Sequence, residues 1–374
     1  MFIFDIIHGY MEFSNEEKKF IDNRWMKRLK RIKQLGLLEH VFPSASHNRF
    51  EHSLGVAHLS SKYLDILAKK SAKKSDGFNP NNTERLCVKL AGLFHDIGHG
   101  PFSHIFDTLI DKNSHEKRSQ DIVEYIFKEV GTSKHFKSAY MIDTIKEMIE
   151  PTEITTNPLY NIVNNRVTKI DVDKFDYLMR DPQHMGIRGN FDYERIFIKS
   201  YISRNEIIYD YSLINNILEL YMTRYRCHKE IYNHKTVKII ELMLKDALVE
   251  ADEVFNFKDW CSNETFISLD DSIYSQILNS DNRDLNKAKN ILKRIENRDL
   301  YNLVWTGQEE NMPDIDESKT KRINLKFNLC NGNKFPLQKV KFVQNNIIQT
   351  GDKFNLNTLY PNSYEENTVM IYSV

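Results

Sequence analysis

The stretch GLFHDIGHGPFSH, residues 92–104, holds three histidines and one aspartate among glycine, phenylalanine and isoleucine. Burying imidazole and carboxylate groups costs free energy unless hydrogen bonds, opposite charges or a metal ion compensate them. His95 and Asp96 are adjacent near the end of a predicted helix, so both side chains can reach one ion, one from each flank. The stretch therefore indicates chemistry at a metal ion rather than an ordinary core helix.

Two other segments contain residue types that complete such a site. NRFEHSLGV contains His52, and IDVDKFDYLMRD contains Asp173. Imidazole and carboxylate ligands suit Fe, Mn, Zn or Mg, with positions left open for water and substrate. A lone histidine on an apolar helix is usually a satisfied core residue, but the joint pattern over three segments favours a divalent metal site. The candidate ligands are His52, His95, Asp96 and Asp173.

Polar residues also recur at helical spacing in two further segments. The first set is Arg224, His228, Tyr232 and Lys235, at intervals of 4, 4 and 3, and the second is Lys174, Tyr177 and Asp181, at intervals of 3 and 4. Each set falls on one face of a helix. Cationic side chains hold polyphosphate oxygens and an aromatic ring packs on a sugar. A nucleotide pocket is therefore favoured over a solvated stripe, which would mix Glu and Lys.

Helices must position these residues. Apolar residues recur at helical spacing over residues 16–36, about 49–70 and 83–97. A long pattern without glycine or proline runs from residue 213 to about 253. The sequence therefore predicts a mainly α fold.

The pattern changes after Gly307. QEENMPDIDESKTK is polar and predicts a linker, and RINLKFNLC, KVKFVQN and NTVMIYSV predict short strands. We therefore predict a helical body over residues 1–308 and a small α+β C-terminal lobe over residues 309–374.

Composition is that of an ordinary globular protein. Of 374 residues, 41% are hydrophobic, and 52 basic residues balance 52 acidic ones. Zero net charge argues against a general polyanion binder and against a nucleic-acid partner, while a local basic pocket is compatible. Four scattered cysteines indicate a reducing compartment. The amino end resembles neither a signal peptide nor a membrane span, so we expect a soluble intracellular protein, cytoplasmic or nuclear.

Three segments together resemble the HD-domain superfamily of metal-dependent phosphohydrolases. They are FPSASHNRFEHSLGVAHL, LCVKLAGLFHDIGHGPFSHIFD and IDVDKFDYLMRD. They are most similar to the deoxynucleoside triphosphate triphosphohydrolase branch, whose vertebrate members carry a sterile alpha motif beside the HD domain. The likeness runs from about DIIHGYMEF to ILKRIENRDLYNLV and covers most of the chain. It implies an HD-domain helical body, a dNTP substrate and metal-ligand roles for the four candidates above.

The resemblance also implies a set of substrate-binding residues: Gln34, Arg49, Lys174, Tyr177, Asp181, Arg224, His228, Tyr232 and Asn233. The cationic members would lie at the phosphates, and Tyr232 would pack on the deoxyribose. Asp181 would accept a hydrogen bond from the 3′-hydroxyl, and the Gln34 side chain would also bind this hydroxyl. A pocket wall close to the sugar would leave no room for a 2′-hydroxyl. Family members commonly have glutamine where Asn233 stands, so contacts to base or sugar would differ there.

Three histidines are candidates to protonate the leaving 5′-oxygen: His99, His104 and His115. A metal ion would polarise the α-phosphorus or lower the pKa of a bound water. Asp107 or Glu116 would orient one histidine. We favour His104 with Asp107 for proton transfer and His115 for positioning the phosphate or the nucleophile, and the sequence leaves the donor open among the three. Attack at the α-phosphorus would release a deoxynucleoside and intact triphosphate.

The resemblance is weaker at positions that bind nucleotide activators in the family. The departures are Phe4, Lys27, Lys30, Asp210 and Ser212, whereas Asp22 and Arg195 match. We also expect no sterile alpha motif before the HD body, and a shorter C-terminal lobe. The sequence leaves a nucleotide activator open, and we expect a constitutive or differently activated homo-oligomer, a dimer or a tetramer.

Two other functions stay open. An HD phosphodiesterase acting on a cyclic or signalling nucleotide would share the metal site but would not need a deoxyribose pocket. A non-catalytic nucleotide or single-stranded nucleic-acid binder would normally lack a metal ligand or a proton-handling histidine, and here all are present. We therefore predict a metal-dependent dNTP triphosphohydrolase.

Overall fold

The computed structural model describes residues 1–74, 77–110, 114–131, 138–187, 189–261, 264–354 and 363–373. Helices predominate in this part of the chain as far as residue 296. The α-helices are α1 (Asn15–Ile21), α2 (Arg24–Arg28), α3 (Arg49–Lys74), α4 (Asn82–Phe94), α5 (His104–Asp107), α6 (His115–Val130), α7 (Ser138–Ile149), α8 (Val172–His184), α9 (Tyr193–Ile198), α10 (Ile214–Arg226), α11 (Lys235–Phe255), α12 (Phe257–Cys261), α13 (Ile273–Asn279) and α14 (Asn286–Glu296). The strands are β1 (Phe2–Asp5), β2 (Gly9–Glu12), β3 (Ser200–Ser203), β4 (Glu206–Asp210), β5 (Asn302–Gly307), β6 (Thr320–Asn328), β7 (Lys341–Gln344), β8 (Ile347–Thr350) and β9 (Glu365–Ser373).

The described strands form three small sheets. Strands β1 and β2 make an antiparallel hairpin in which Phe4 pairs with Tyr10 and Asp5 with Gly9. The second sheet has the order β3-β4-β7-β8, and its central pair, β4 and β7, is parallel. The third has the order β5-β9-β6, with both outer strands antiparallel to β9. The prediction of a mainly α fold with strands towards the C-terminus is confirmed.

The division at residues 308 and 309 stays a prediction. Strand β5 lies before this point and pairs with β9 beyond it, and β4 likewise pairs with β7. Leu337 and Tyr372 belong to the same buried apolar cluster as Phe175 and Leu220. Strands and core therefore join the two sides of the predicted boundary.

Helix α3 packs against both α4 and α8, and the three helices carry the candidate metal ligands. The Asn81 side chain accepts hydrogen bonds from the first backbone amides of α4, and Asp171 does the same at α8. Such caps satisfy amides that have no partner inside the helix, so they determine where a helix begins. They thereby set the register of the ligands along α4 and α8.

Two segments predicted as continuous helices are interrupted. Residues 16–36 do not form one helix: α1, α2 and a 3₁₀ turn at Leu29–Arg31 follow one another, and the backbone is extended at Ile32. The first break lies at Asn23, whose side chain caps α2 by accepting from the Trp25 amide. The predicted helix over residues 213–253 is interrupted by a π-helical turn at Cys227–Tyr232 and by non-helical backbone at His234. Single π turns are frequent at functional sites.

Large apolar side chains fill the space between the helices. Tyr63 of α3 and Phe197 of α9 are almost completely buried, and their rings stack with centroids 4.2 Å apart. Phe20, Phe94 and Phe175 are buried in the same cluster. Of the helices in the described ranges, none combines the length and apolar composition needed to cross a bilayer.

Candidate active site

The four predicted metal ligands converge on one point. His52 lies in the first turn of α3, His95 and Asp96 follow the end of α4, and Asp173 lies in the first turn of α8. His52 Nε2 is 3.1 Å from His95 Nε2 and 3.1 Å from Asp173 Oδ1. Asp96 Oδ1 is 3.5 Å from His95 Nε2. Three helices therefore bring together residues that are up to 121 positions apart in the sequence (52 to 173).

The two imidazoles are oriented through their other ring nitrogens. His52 Nδ1 donates to Asp176 Oδ2 at 2.7 Å, and His95 Nδ1 donates to the Gly92 carbonyl at 2.8 Å. In the neutral form of both rings each Nδ1 carries the proton, and each Nε2 then directs a lone pair towards the other ring. Two lone pairs facing each other repel, so the arrangement calls for a positive charge between them.

The donor set fits a divalent cation. Separations of 3.1 to 3.6 Å between donor atoms are those of neighbouring ligands around an ion bonded at about 2.0–2.2 Å. Although burial opposes it, hydrogen bonds to Asp173 and Asp176 raise the pKa of His52 to about 10. The point therefore attracts positive charge, and a metal ion binding there competes with a proton.

A cavity of about 590 Å³ reaches this cluster, a size typical of small-ligand sites. Of the residues named above as site candidates, all line it except His95, Asp107, Glu116 and Lys235. His95 lies at the metal cluster, and Asp107 contacts His115 and Arg118. The residues singled out by spacing and resemblance are therefore gathered in one cavity.

Three of the predicted site residues that line the cavity are cationic. Arg49, the first residue of α3, is hydrogen-bonded to Asp96, Ser103 and the Gln34 carbonyl. Lys174 Nζ is 2.9 Å from Asp171 Oδ2; burial opposes its charge, but Asp171 raises its pKa above the usual range. Arg224 Nη1 donates to the Asn328 carbonyl at 3.4 Å. The cavity thus holds permanent positive charge beside the metal ligands.

Near the C-terminal end of α8, the cavity wall presents hydrogen-bonding groups rather than cationic side chains. Asp181 is buried and accepts hydrogen bonds from Tyr232 Oη at 2.6 Å and from His47 Nε2 at 2.8 Å. Gln34 is also buried, and its Oε1 has no hydrogen-bond partner among the described residues. The Asn233 amide donates to the His228 carbonyl at 2.7 Å. This wall offers hydrogen-bonding groups for a neutral polar part of a ligand.

The candidate proton-transfer groups form a second cluster, in which donor atoms of His99, His104, Asp107 and His115 lie within 4.8 Å of one another. His99 stacks on His115, and His115 Nδ1 donates to Asp107 Oδ2 at 3.0 Å. His104 Nδ1 is 3.8 Å from the same oxygen, and its side chain is 76% exposed. Burial together with Arg49 and His115 keeps the pKa of His99 well below its usual value, so His99 is neutral.

The loop between His99 and His104 has an unusual backbone. Phe102 and Ser103 adopt φ angles of 55° and 57°, a conformation that costs free energy for residues other than glycine. Asp271 holds the loop by accepting from the Phe102 amide at 2.7 Å and from the Lys33 amide at 2.8 Å. Burial raises the pKa of Asp271 to about 6. Nothing in the local sequence around Asp271 signals this role.

Not every residue predicted from spacing to share the helical face of Arg224 lines the cavity. Lys235, predicted to share a face with Arg224, is not among the cavity-lining residues. The break at His234 rotates the following helix, and Lys238, Glu241 and Lys245 line the cavity instead. Lys238 Nζ and Glu241 Oε2 are 2.6 Å apart. No sequence pattern marked these residues, because the register of α11 depends on the break.

The chain was compared with known proteins. Residues 49–181 match the HD domain family, and residues 191–328 match the HD associated region. A Dictyostelium discoideum protein named deoxynucleoside triphosphate triphosphohydrolase SAMHD1 homolog is 34% identical over 98% of this chain and 76% of its own length. Human deoxynucleoside triphosphate triphosphohydrolase SAMHD1 is 35% identical over 81% of this chain and 55% of its own length. An HD domain-containing protein of Acanthamoeba polyphaga mimivirus is 35% identical over 82% of this chain and 73% of its own length. The chain thus spans little more than half of the human protein.

Proposed function

Because the chain belongs to the family of SAMHD1-like HD-domain proteins, we propose that it hydrolyses dNTPs to deoxynucleosides and inorganic triphosphate. One observation carries the proposal. The cluster of His52, His95, Asp96 and Asp173 shares a cavity of about 590 Å³ with three cationic side chains and with the Asp181–Tyr232 pair. Such a cavity suits a ligand with a highly charged end and a neutral, hydroxyl-bearing part.

The proposed metal ligands are His52, His95, Asp96 and Asp173. A divalent metal ion bound by them would supply a Lewis acid at the α-phosphate and a more acidic water. Arg49, Lys174 and Arg224 would hold the triphosphate, since guanidinium and ammonium groups form charge-assisted hydrogen bonds to phosphate oxygens. Lys174 also pairs with Asp171, whose Oδ2 accepts from Lys174 Nζ at 2.9 Å.

We propose His104 as the donor of the proton to the leaving 5′-oxygen. His99 is neutral and buried, and His115 is held between Asp107 and Glu116. His104 is exposed and close to Asp107, so it can exchange its proton with solvent between turnovers. His115 would then position the phosphate or the nucleophile.

The sugar would lie against Asp181 and Tyr232. Asp181 keeps a free lone pair on each oxygen for the 3′-hydroxyl after accepting from His47 and Tyr232. Gln34 Oε1, which has no hydrogen-bond partner in the part of the chain that the structure describes, offers a second acceptor for this hydroxyl. Tyr177 and His228 would complete this wall, and Asn233 would alter contacts where relatives of the family commonly have glutamine.

We propose that turnover needs no guanine-nucleotide activator and that the protein acts as a homo-oligomer. Lys30 Nζ lies 4.6 Å from the centre of the Phe50 ring, and Asp210 is bonded to Ser212. By the resemblance, the family has a glutamine and an arginine where Lys27 and Lys30 stand, and basic residues where Asp210 and Ser212 stand. Light scattering and turnover, each measured with and without GTP, test this point. Activity and tetramer formation that both require GTP would contradict it.

The decisive experiment is product analysis. Metal-loaded protein is incubated with each dNTP and each rNTP, and the products are separated by ion exchange. We expect deoxynucleoside and triphosphate from dNTPs, little turnover of rNTPs, and loss of activity in His95→Ala and Asp173→Ala. Asp65→Ala, at an exposed position of α3, serves as the control. Pyrophosphate with a nucleoside monophosphate, or no turnover with metal bound, would contradict the proposal.

A further inference from the structure

We propose that the hairpin formed by β1 and β2 is a positioning element of the metal site. Through His8, Asp5 and Arg180 it fixes Asp176, and Asp176 in turn fixes the ring of His52. The inference rests on the metal role proposed for His52. It concerns residues that neither touch the metal nor line the cavity.

Asp176 is saturated with hydrogen bonds. Its Oδ2 accepts from His52 Nδ1 at 2.7 Å and from Arg180 Nε at 2.9 Å. Its Oδ1 accepts from His8 Nε2 at 2.6 Å and from Arg180 Nη2 at 2.9 Å. Four donors on two oxygens leave the carboxylate one orientation, and that orientation is transmitted to the His52 ring.

The hairpin supplies the contacts that hold Arg180 and Asp176 from the side opposite His52. Arg180 Nη1 donates to Asp5 Oδ2 at 2.9 Å. Asp5 Oδ1 accepts from the backbone amides of Ile7 and His8 at 2.9 and 3.0 Å, which shapes the turn and directs His8 inwards. One aspartate thus ties the turn to Arg180 while the turn presents His8 to Asp176.

Asp5, His8, Arg180 and Asp176 form a hydrogen-bonded relay to His52, and this relay is enclosed on every side. The side chains of His8, Asp176 and Arg180 are 0% exposed, so water cannot replace a lost partner without entering the core. Gly55 of α3 lies against the carboxylate, and a Cβ at this position would be 1.9 Å from Asp176 Oδ1. Only glycine therefore leaves room for Asp176 to reach both His52 and His8.

The two faces of the hairpin differ, which provides a matched control. Asp5 and Met11 point inwards and are buried, whereas Phe4 and Tyr10 form an outward pair with Tyr10 74% exposed. Tyr10→Ala therefore removes a large side chain from the same hairpin without touching the relay. His8→Ala removes the donor to Asp176.

The expected effect is on metal retention. Partners that orient a ligating histidine typically change metal affinity by about 10–100-fold when they are removed. We expect His8→Ala and Asp5→Asn to bind Mn²⁺ or Zn²⁺ about 10–100-fold more weakly than the wild type. Tyr10→Ala should stay within about twofold of it, because it makes no contact with the relay. His8→Gln should recover part of the loss, because its amide can donate to Asp176.

The test is a competition between full-length protein and a chromophoric chelator, performed without nucleotide and well below the unfolding temperature. Circular dichroism and thermal unfolding establish that each variant is folded, and Asp5→Asn replaces His8→Ala if the latter does not fold. A purely structural role would lower the unfolding temperature and leave metal affinity in the folded protein unchanged, which would overturn the proposal. Since no dNTP is present, the result does not depend on the nucleotide being the substrate.

Discussion

Tyr232 Oη donates a 2.6 Å hydrogen bond to Asp181 Oδ2, and this bond joins the π turn after α10 to the last turns of α8. His47 Nε2 contacts the other oxygen of Asp181 at 2.8 Å. The carboxylate is therefore held from two sides, and a lone pair on each of its oxygens stays available to a ligand. A site built in this way discriminates by geometry, because a misplaced hydroxyl finds no acceptor.

Tyr232→Phe removes this hydrogen bond and leaves Asp181 held by His47 alone. A hydrogen bond contributes a net free energy of roughly 1 kcal/mol, so we expect kcat/KM for dNTPs to fall about five- to tenfold. We also expect the ratio of kcat/KM for dNTPs to kcat/KM for rNTPs to decrease. Steady-state kinetics with dGTP and GTP as substrates measure both effects. Tyr225→Phe is the matched control, because Tyr225 Oη contacts Glu366 rather than Asp181. Equal losses in the two variants would contradict a role in sugar recognition.

Arg224→Lys keeps the positive charge but replaces the planar guanidinium, which can donate to two phosphate oxygens at once, by an ammonium group. We expect KM for dNTPs to rise about tenfold with a smaller change in kcat, because the contact would hold the ground state and the transition state alike. Arg226, two positions further along α10, is not among the cavity-lining residues. Arg226→Lys should therefore leave KM unchanged, and a similar rise in both variants would exclude a specific phosphate contact.

We expect the free energy of unfolding to depend on pH through His228. Burial and the nearby Arg224 guanidinium lower the pKa of His228 to about 3 in the folded protein, against 6.5 for an ordinary histidine. The folded state therefore binds the proton less tightly than the unfolded chain, and acidification below pH 6.5 favours unfolding. The cost is about 1.4 kcal/mol per pH unit, or roughly 2 kcal/mol between pH 6.5 and pH 5.

Urea unfolding of wild type and His228→Gln at several pH values between 5 and 7.5 measures this contribution. We expect the free energy of unfolding of the wild type to fall more steeply with acidification, because glutamine does not titrate. Above pH 7 the pH dependence of the two proteins should be the same. Parallel curves throughout the range would show that His228 is not buried in a neutral form.

Gly55→Ala introduces a methyl group where Asp176 Oδ1 would lie 1.9 Å away and Arg180 Nη2 2.7 Å away. Overpacking of this kind costs about 1–3 kcal/mol of the free energy of unfolding, and here it also displaces the partner of His52. We therefore expect lower stability together with weaker metal binding. Thermal unfolding and metal titration measure the two effects.

Gly189→Ala is the control for this substitution. A Cβ at Gly189 would make contacts no closer than 3.4 Å, so the added methyl group should be tolerated more easily. Gly55→Ala with wild-type metal affinity would show that Asp176 can shift without disturbing His52.

Residue types, local spacing and the family resemblance were sufficient to predict a set of residues that the structure gathers at one cluster and one cavity. The intervals between Lys174, Tyr177 and Asp181 give one helical face because helix geometry repeats every 3.6 residues, whatever the rest of the chain does. The structure brings these residues to one cavity. Capping residues such as Asp171 act within one turn and leave a similarly local signal.

Contacts between distant segments left no such signal. His8 and Asp176 are 168 positions apart, and His47 and Asp181 are 134 apart. The pairing of β4 with β7 likewise joins segments that are far apart in the chain. No periodicity connects such pairs, since their meeting depends on how helices and strands pack against one another.

The sequence by itself determined which side chains are candidates for the chemistry and, within each uninterrupted helix, on which face they lie, because both depend on residue type and on interactions within a few positions. The tertiary structure alone decided which of them have partners. It put Asp107 within hydrogen-bond distance of His115, interrupted the long helix at the π turn, and inserted His8 beneath the metal cluster. These outcomes depend on burial and close packing, in which every buried polar group must find a partner wherever the fold provides one.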